Sequence, residues 1–400
     1  MNNILLVSAV FPPEPVVSAS LSHDIAKSLS KKNQVTVLCP KPTRPHGFSF
    51  GKEIDSKYFK VLRLDSYTCS ASRIIGRFRE SYSFGLKCKH HIKNNLKTID
   101  GIYMNTWPIL SQFLVVRISK KNKIPSIVHV QDIYPESLSN KTPLLSSFLN
   151  SFLLPIDKYI LRNASSIVAI SDKMKNYLIE TRNIKAEKIT VVQNWQDEST
   201  FINHEKFDTL NRDENKDFTF MYLGNIGPVA GIDLLMNAFV NASLENCKLV
   251  IAGSGSMKES LQKKASDLKL TSIEFWPVPD GKVPEIQEHA DVMLLPIKKG
   301  AAGSSIPSKL PAYMFSSKPI IACVDEDSDT ATSINKANCG WVLPPNNIDE
   351  LTQTMRMVAV SPSEKIQLKG NNGFEFAIEH FSKRKNLKKL CHIITNTILD

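Results

Sequence analysis

Short apolar runs rich in β-branched residues recur along this chain, each followed by a stretch with helical periodicity, and that alternation leaves few possible folds. A buried strand followed by a helix is the βα unit, whose strands pair in parallel beneath covering helices. The pattern predicts strands over Ile4–Val10, Gln34–Cys39, Lys60–Leu64, Gly101–Asn105, Ser126–Gln131, Ser166–Ile170 and Ile189–Val192. A second series predicts Phe218–Leu223, Lys248–Ala252, Ser272–Phe275, Val292–Pro296, Pro319–Cys323 and Gly340–Val342. Between them the polar segment Asp197–Asp217 reads as an interdomain linker. The fold class is therefore α/β, with domains over 1–200 and 201–375. A helical tail, 376–400, can return to the first domain, and it ends in the basic amphipathic segment Lys383–Leu399.

A length of 400 residues exceeds what one core organises, and 42% hydrophobic with 22% charged residues excludes a disordered chain. The seven cysteines are odd in number and scattered, without a Cys-x-x-Cys pair, so a disulfide framework or zinc site is not indicated and a reducing cytoplasm is expected. Met1–Val10 carries no charged leader and runs into Phe11-Pro12-Pro13, which reads as a buried strand rather than a signal peptide. No apolar run approaches the roughly 20 residues that span a bilayer.

The net charge is +11, and much of the basic excess lies between residues 70 and 97. There Ile74, Ile75, Phe78, Tyr82, Phe84 and Leu86 interleave with Arg73, Arg77, Arg79, Lys87, Lys89 and Lys93. Two readings stand side by side: a surface that lies on anionic membrane, or a core-facing helix with a solvated basic face. Nucleic acid is not expected, because no recognition motif accompanies the charge. Thr142–Ala164, rich in Leu and Phe, reads as a packed helix pair or a second membrane-facing surface.

Three strand-to-helix junctions of the second half suit an anionic ligand. Residues 300–322 join a small-residue loop to a helix starting near Pro307–Lys309, with Lys309 adding a full charge. Tyr222–Pro228 and Val250–Ser256 each end a strand in a turn with two glycines, and the helix after the first starts near Gly231–Asp233. Alone, such a turn uses glycine for steric reasons. Together the three lie at the carboxyl ends of parallel strands, where open α/β sheets bind nucleotides. In the first half, Phe11–Ala19 precedes a helix beginning near Ser20, and His129–Glu136 ends a strand with a density of His, Asp, Tyr and Glu. Those polar groups line a site, or Asp132 or Glu136 caps a helix. Asn194-Trp195 is a hinge contact or a cleft residue.

In this order the pieces resemble the large retaining family-four group of GT-B glycosyltransferases. The resemblance rests on Phe11–Glu14, His129–Glu136, Asn194-Trp195, Gly224–Asp233, Ala252–Ser256, Ala290–Val292 with Leu295-Pro296, and Pro307–Lys309 through Lys318-Pro319. It implies two Rossmann-like domains facing across a cleft, with the donor held by the second and the acceptor by the first. The pairing of Pro-Ser-Lys-Leu with Asn-Ile-Gly-Pro is similar to O-antigen and colanic-acid N-acetyl-L-fucosamine transferases. Such a resemblance implies a sugar moved from a nucleotide-diphosphate donor, UDP-linked, to an undecaprenyl-diphosphate-linked glycan at the cytoplasmic membrane face. It also implies donor contacts at Gly224, Asn225, Gly227, Gly253, Ser254, Gly255, Val278, Ser304, Ser305, Lys309 and Leu310. Acceptor contacts fall at Glu14, Val17, Ser18, Tyr134 and Glu136, with Asp132 and His129 as candidate catalytic residues.

The chain departs from the family pattern at both sites. Ser304 and Ala312 stand where most relatives carry two Glu, Asn225 and Ala230 where they carry Arg and Lys, and Val17 and Ser18 where they carry a glycine pair. No Asp-x-Asp metal site is evident, so no metal or other cofactor is expected. Two other functions fit the same architecture, a nucleotide-sugar epimerase and a non-catalytic partner. An epimerase needs acid/base side chains at the sugar, and the missing carboxylates count against it.

Overall fold

The computed structural model describes residues 1–44, 49–51, 57–69, 74–105, 108–139, 146–202, 217–299 and 306–399. The chain divides into two compact units, Met1–Gln193 with Asn386–Asp400, and Asn194–Lys385. The first contains β1 (Asn3–Val7), α1 (Val17–Leu29), β2 (Gln34–Pro40), β3 (Lys60–Leu64), α2 (Ile74–Asn94), β4 (Gly101–Asn105) and α3 (Ile109–Lys121). It continues with β5 (Ser126–Val130), α4 (Glu136–Ser139), α5 (Ser146–Asn163), β6 (Ser166–Ala169), α6 (Asp172–Arg182) and β7 (Ile189–Val191). The second unit opens with α7 (Ser199–Ile202), β8 (Phe218–Leu223), α8 (Ile232–Ala242), β9 (Cys247–Ala252), α9 (Lys258–Asp267), β10 (Ile273–Trp276) and α10 (Val283–Glu288). It closes with β11 (Val292–Pro296), α11 (Lys309–Phe315), β12 (Ile320–Cys323), α12 (Asp329–Ala337), β13 (Gly340–Leu343), α13 (Ile348–Ala359) and α14 (Ser363–His380). The expected tail is thus split: α14 stays with the second unit, and α15 (Lys383–Leu399) belongs to the first from Asn386 onward.

Each unit is built on a parallel sheet, ordered β3, β2, β1, β4, β5, β6, β7 in the first and β10, β9, β8, β11, β12, β13 in the second. Central strands are buried on both faces, so β4, β5, β8 and β11 are buried at every residue instead of alternating. Edge strands β3 and β13 carry no fully buried residue. The helices cover the faces by their apolar stripes, as in α8, where Ile232, Leu235, Met236 and Phe239 recur at helical spacing and are buried. Local chemistry sets several ends. Ser171 Oγ accepts the Met174 N–H to start α6, Ser328 Oγ accepts the Ala331 N–H to start α12, and Asn183 and Asn338 stop those helices in the left-handed region.

In both sheets the strand order reverses beside the first strand of the unit, between β1 and β4 and between β8 and β11. Crossovers leave in opposite directions there, which opens a crevice at the carboxyl ends. The predicted strands all form, most within a residue or two of the expected limits, while two helices differ. Helix α1 starts at Val17 rather than near Ser20, which places Val17 and Ser18 in its first turn. The Leu- and Phe-rich stretch is one helix, α5, over its described residues; Leu149, Leu153, Ile160 and Leu161 are buried in the core. Residues 142–145 and 203–216, with Arg73, Ser304 and Ser305, lie outside the described residues.

Candidate active site

At the first unit's switch point lies a cavity of about 440 Å³. Ser8, Ala9 and Val10 reach it from the end of β1, Asn105 from the end of β4, and Gln131, Asp132 and Tyr134 from the turn after β5. Val16 and Ser18 come from the start of α1, Leu138 from α4, Arg44 from beyond β2, and Ile74, Arg77 and Phe78 from the first turns of α2. Its floor is a polar knot. Asn105 Nδ2 donates to Ser22 Oγ at 2.8 Å, Ser22 and Ser8 hydroxyls meet at 3.0 Å, and Ser8 Oγ donates to the Val10 carbonyl at 2.7 Å. Those bonds tie β1, β4 and α1 together where burial would otherwise penalise each group.

The turn after β5 places its polar residues in different roles. Asp132 and Tyr134 line the cavity, and Asp132 is exposed. Burial, and then the charge of Asp132, pushes the Tyr134 hydroxyl up to about 12, so it stays protonated and can donate. Glu136 does not line the cavity and corrects the expectation of an acceptor contact. Its two oxygens accept from Arg182 Nη2 at 2.9 and 2.7 Å, and Tyr177 Oη donates to it at 2.7 Å. Burial raises Glu136, but the Arg182 and Tyr177 bonds together outweigh it and hold the carboxyl below its usual range. Arg182, 1% exposed, also donates from Nε to Asp157 Oδ2 at 2.6 Å and from Nη2 to the Tyr134 carbonyl at 2.7 Å. One guanidinium thus fastens the turn that carries Tyr134 to α5 and α6.

Three further first-unit expectations are corrected. His129 is 1% exposed inside β5, its Nδ1 is 2.7 Å from Tyr103 Oη, and burial lowers it to about 4. A neutral histidine held in the sheet is not placed to move protons in the cavity. Glu14, 3% exposed, accepts the N–H groups of Phe11, Thr43 and Arg44 at 3.1, 2.9 and 3.0 Å, and so braces loops rather than meeting an acceptor. Val17 is 57% exposed and does not line the cavity, whereas its neighbour Ser18 does.

In the second unit the candidate site is made of backbone. The turns after β8 and β9 are zipped together: Gly224 N–H donates to the Ala252 carbonyl at 3.0 Å, Ile226 N–H to Ser254 at 2.8 Å, and Met257 N–H to Ile226 at 3.0 Å. Gly253 has φ +137°, and a Cβ there would lie 2.0 Å from the Gly224 carbonyl oxygen, so the turns pass at a distance only glycine permits. Asn225, Ser254 and Gly255 are exposed on these turns, Gly227 is buried, and Val278 is half-buried beyond β10. Lys309 crosses Gly224, where a Cβ would meet its Cε at 2.0 Å, and its Nζ stands 4.9 Å from the Tyr222 ring centre. Burial lowers the Lys309 ammonium, a cost that an adjacent anion offsets. Tyr313 braces the same place from α11, its hydroxyl accepting from the Leu223 N–H at 3.0 Å and donating to the Leu223 carbonyl at 2.8 Å.

Two donor-side expectations change. Leu310 is a core residue, 0% exposed, and its N–H donates to the Pro307 carbonyl at 3.0 Å. Helix α11 has seven residues and starts at Lys309 with no side-chain cap, so the charge at this junction is that of Lys309 more than of a helix end. Among the described residues no group of His, Cys, Asp and Glu is arranged to hold a metal ion. Sequence reasoning missed Arg44, Asn105 and Arg182, which lie at different chain positions and share no motif. It weighed Arg77 as part of a membrane-facing or a solvated basic surface.

Comparison with known proteins respects the same division. A family model described as Glycosyltransferase Family 4 matches residues 19–199, and one described as Glycosyl transferases group 1 matches 203–375. "Probable glycosyltransferase WbjE" of Pseudomonas aeruginosa is 23% identical over 303 residues, covering 74% of this chain and 73% of its own. "Putative colanic acid biosynthesis glycosyl transferase WcaI" of Escherichia coli strain K12 is 25% identical over 207 residues, 48% and 49% of the two chains. Anabaena Alr3699/HepE, solved in complex with UDP, superposes with a TM-score of 0.68 at 15% identity over 99% of this chain and 100% of its own. With both units matched in order and both sheets of the expected build, the chain belongs to the group 1/family 4 glycosyltransferases and has the GT-B fold.

Proposed function

We propose that this glycosyltransferase moves an N-acetylated amino or deoxyamino sugar, such as N-acetyl-L-fucosamine, from a UDP-linked donor to an undecaprenyl-diphosphate-linked glycan. The product belongs to O-antigen or capsule assembly, which the colanic-acid relative supports, as the UDP complex of the Anabaena protein supports the donor. The observation that carries the reading is Lys309 lying across Gly224 where the two zipped turns meet at the carboxyl ends of β8 and β9. A half-buried ammonium beside exposed backbone stabilises the charge that grows on a departing nucleoside diphosphate. The anomeric C–O bond to phosphate breaks as an acceptor hydroxyl bonds on the same face, its proton passing to the departing phosphate, so configuration is retained without a protein nucleophile. Lys309 takes the role of a divalent ion, and turnover in EDTA is expected to equal turnover without it. On the acceptor side, Asp132 and Tyr134 hold the hydroxyl-bearing sugar.

The protein is expected at the cytoplasmic face of the membrane, held by α2, where Ile75, Tyr82 and Leu86 are exposed with Lys87, Lys89 and Lys93. Arg77 and Arg79 serve elsewhere, the first paired with Glu80 at 2.8 Å and the second 4.4 Å from the Tyr67 ring centre. Reversing the three lysines to Glu should release the protein from anionic vesicles; unchanged sedimentation with vesicles would remove the membrane role. The activity itself is tested by incubating purified protein with a panel of UDP-sugars, with and without lipid-linked acceptor, under mass spectrometry. UDP release that depends on acceptor is the expected result. Sugar isomerisation without release, or silence with every donor, would overturn it.

A further inference from the structure

The cavity of the first unit holds a charge arrangement that the transfer reaction alone does not require. Glu80, 3% exposed, accepts from Arg44 Nη2 at 2.9 Å and from Arg77 Nη1 at 2.8 Å, both on the single oxygen Oε2. Both guanidinium side chains are 17% exposed and line the cavity. Each carries five N–H donors, and the Glu80 bond uses one of them. Two cations share that one carboxylate, so most of their N–H donors remain for an anion inside a partly closed space. Nor is Arg44 free to swing away, since Glu14 grips its backbone N–H and that of Thr43.

The surroundings narrow the anion. Ile74 and Phe78, one helical turn apart and flanking Arg77, line the same cavity with Leu138. Asp132 approaches from the turn after β5 and is the only acid among the described lining residues. A ligand that satisfies all three surfaces carries phosphate for the arginines, hydrocarbon for the apolar wall and a hydroxyl for Asp132. We infer that Arg44 and Arg77, fixed by Glu80, bind the diphosphate of a prenyl-diphosphate acceptor, and that Ile74, Phe78 and Leu138 take the first part of its hydrocarbon chain. This rests on the proposed transferase reading for the acceptor's sugar but not for the anion site itself.

Calorimetric titration with farnesyl diphosphate, inorganic pyrophosphate and farnesol as separate probes tests it, with UDP titrated alongside. Wild-type protein should bind farnesyl diphosphate more tightly than either of the other two. Arg44→Gln and Arg77→Gln should each weaken it on the order of tenfold while leaving UDP affinity unchanged, which shows that the second unit remains folded. Lys309→Ala should leave farnesyl diphosphate affinity intact. Pyrophosphate binding as tightly as farnesyl diphosphate would remove the hydrocarbon part, and unaltered affinity in both arginine variants would remove the anion site. Loss in Lys309→Ala would place the diphosphate in the second unit and overturn the assignment. Absence of UDP binding with farnesyl diphosphate binding retained would sink the donor reading and leave this one standing.

Discussion

The two switch points of this chain are built from different material. In the first unit the cavity is walled by side chains from β1, β4, the turn after β5, α1 and α2, and its shape depends on long-range ion pairs. In the second unit the site is two backbone turns bonded to each other, with one lysine across them. Backbone geometry is indifferent to which sugar is attached and suits a constant group such as a diphosphate. Side chains can be exchanged one at a time without disturbing the sheet, which suits selection among ligands. Under the proposed function, that difference assigns the donor's diphosphate to the second unit and the choice of acceptor to the first.

If the first site depends on its ion pairs, Arg182→Ala should be the most damaging change, because it leaves Glu136 and Asp157 in place without their partner. A loss of about 3–5 kcal/mol in chemical denaturation is expected. A loss below ~1 kcal/mol would show that the turn carrying Tyr134 holds itself. Next, Gly253→Ala challenges the backbone site directly, since the added Cβ meets a main-chain oxygen at a φ that side chains rarely adopt. About 3 kcal/mol of destabilisation, or UDP binding lost in protein that still folds, is expected. Full tolerance would mean that the zipped turns do not define the site.

The pH response of His129 separates a structural residue from a catalytic one. Its pKa is depressed in the fold, from 6.5 to about 4, so between those values the unfolded chain binds more protons and stability falls as pH falls. Relative to His129→Gln, the wild type should gain about 3 kcal/mol between pH 4 and pH 6.5. Asp157, raised to about 6 by burial against the pull of Arg182, acts in the opposite direction in both proteins and cancels in the difference. A flat difference would mean that His129 is not neutral in the sheet. Smallest in stability is Lys309→Ala, expected to leave denaturation nearly unchanged while weakening UDP about tenfold or more. Equal UDP affinity would shift the site's charge away from Lys309.

Much of the architecture was legible because parallel strands buried on both faces produce continuous apolar runs. Gly101–Asn105, Phe218–Leu223 and Val292–Pro296, buried throughout, form strands with the expected limits. The turns after β8 and β9 were legible too, since a close backbone approach demands glycine where it occurs. The stretch His129–Glu136 was legible only as a polar cluster. Its sequence does not say that His129 is sealed in β5, that Asp132 meets a cavity, or that Glu136 is held by Arg182 from 46 residues away.

By itself the sequence determined the βα order, the two sheets and the glycine turns, because each arises from the periodicity or steric need of neighbouring residues. Only the tertiary structure decided which charged groups are partners and which line the cavity. Glu14 and Glu136 became braces, while Arg44 and Arg77 met over Glu80. The physical reason is range. Backbone preference and apolar spacing act within a few residues, whereas a carboxylate's role depends on the cation that folding brings beside it, and no local pattern records that meeting.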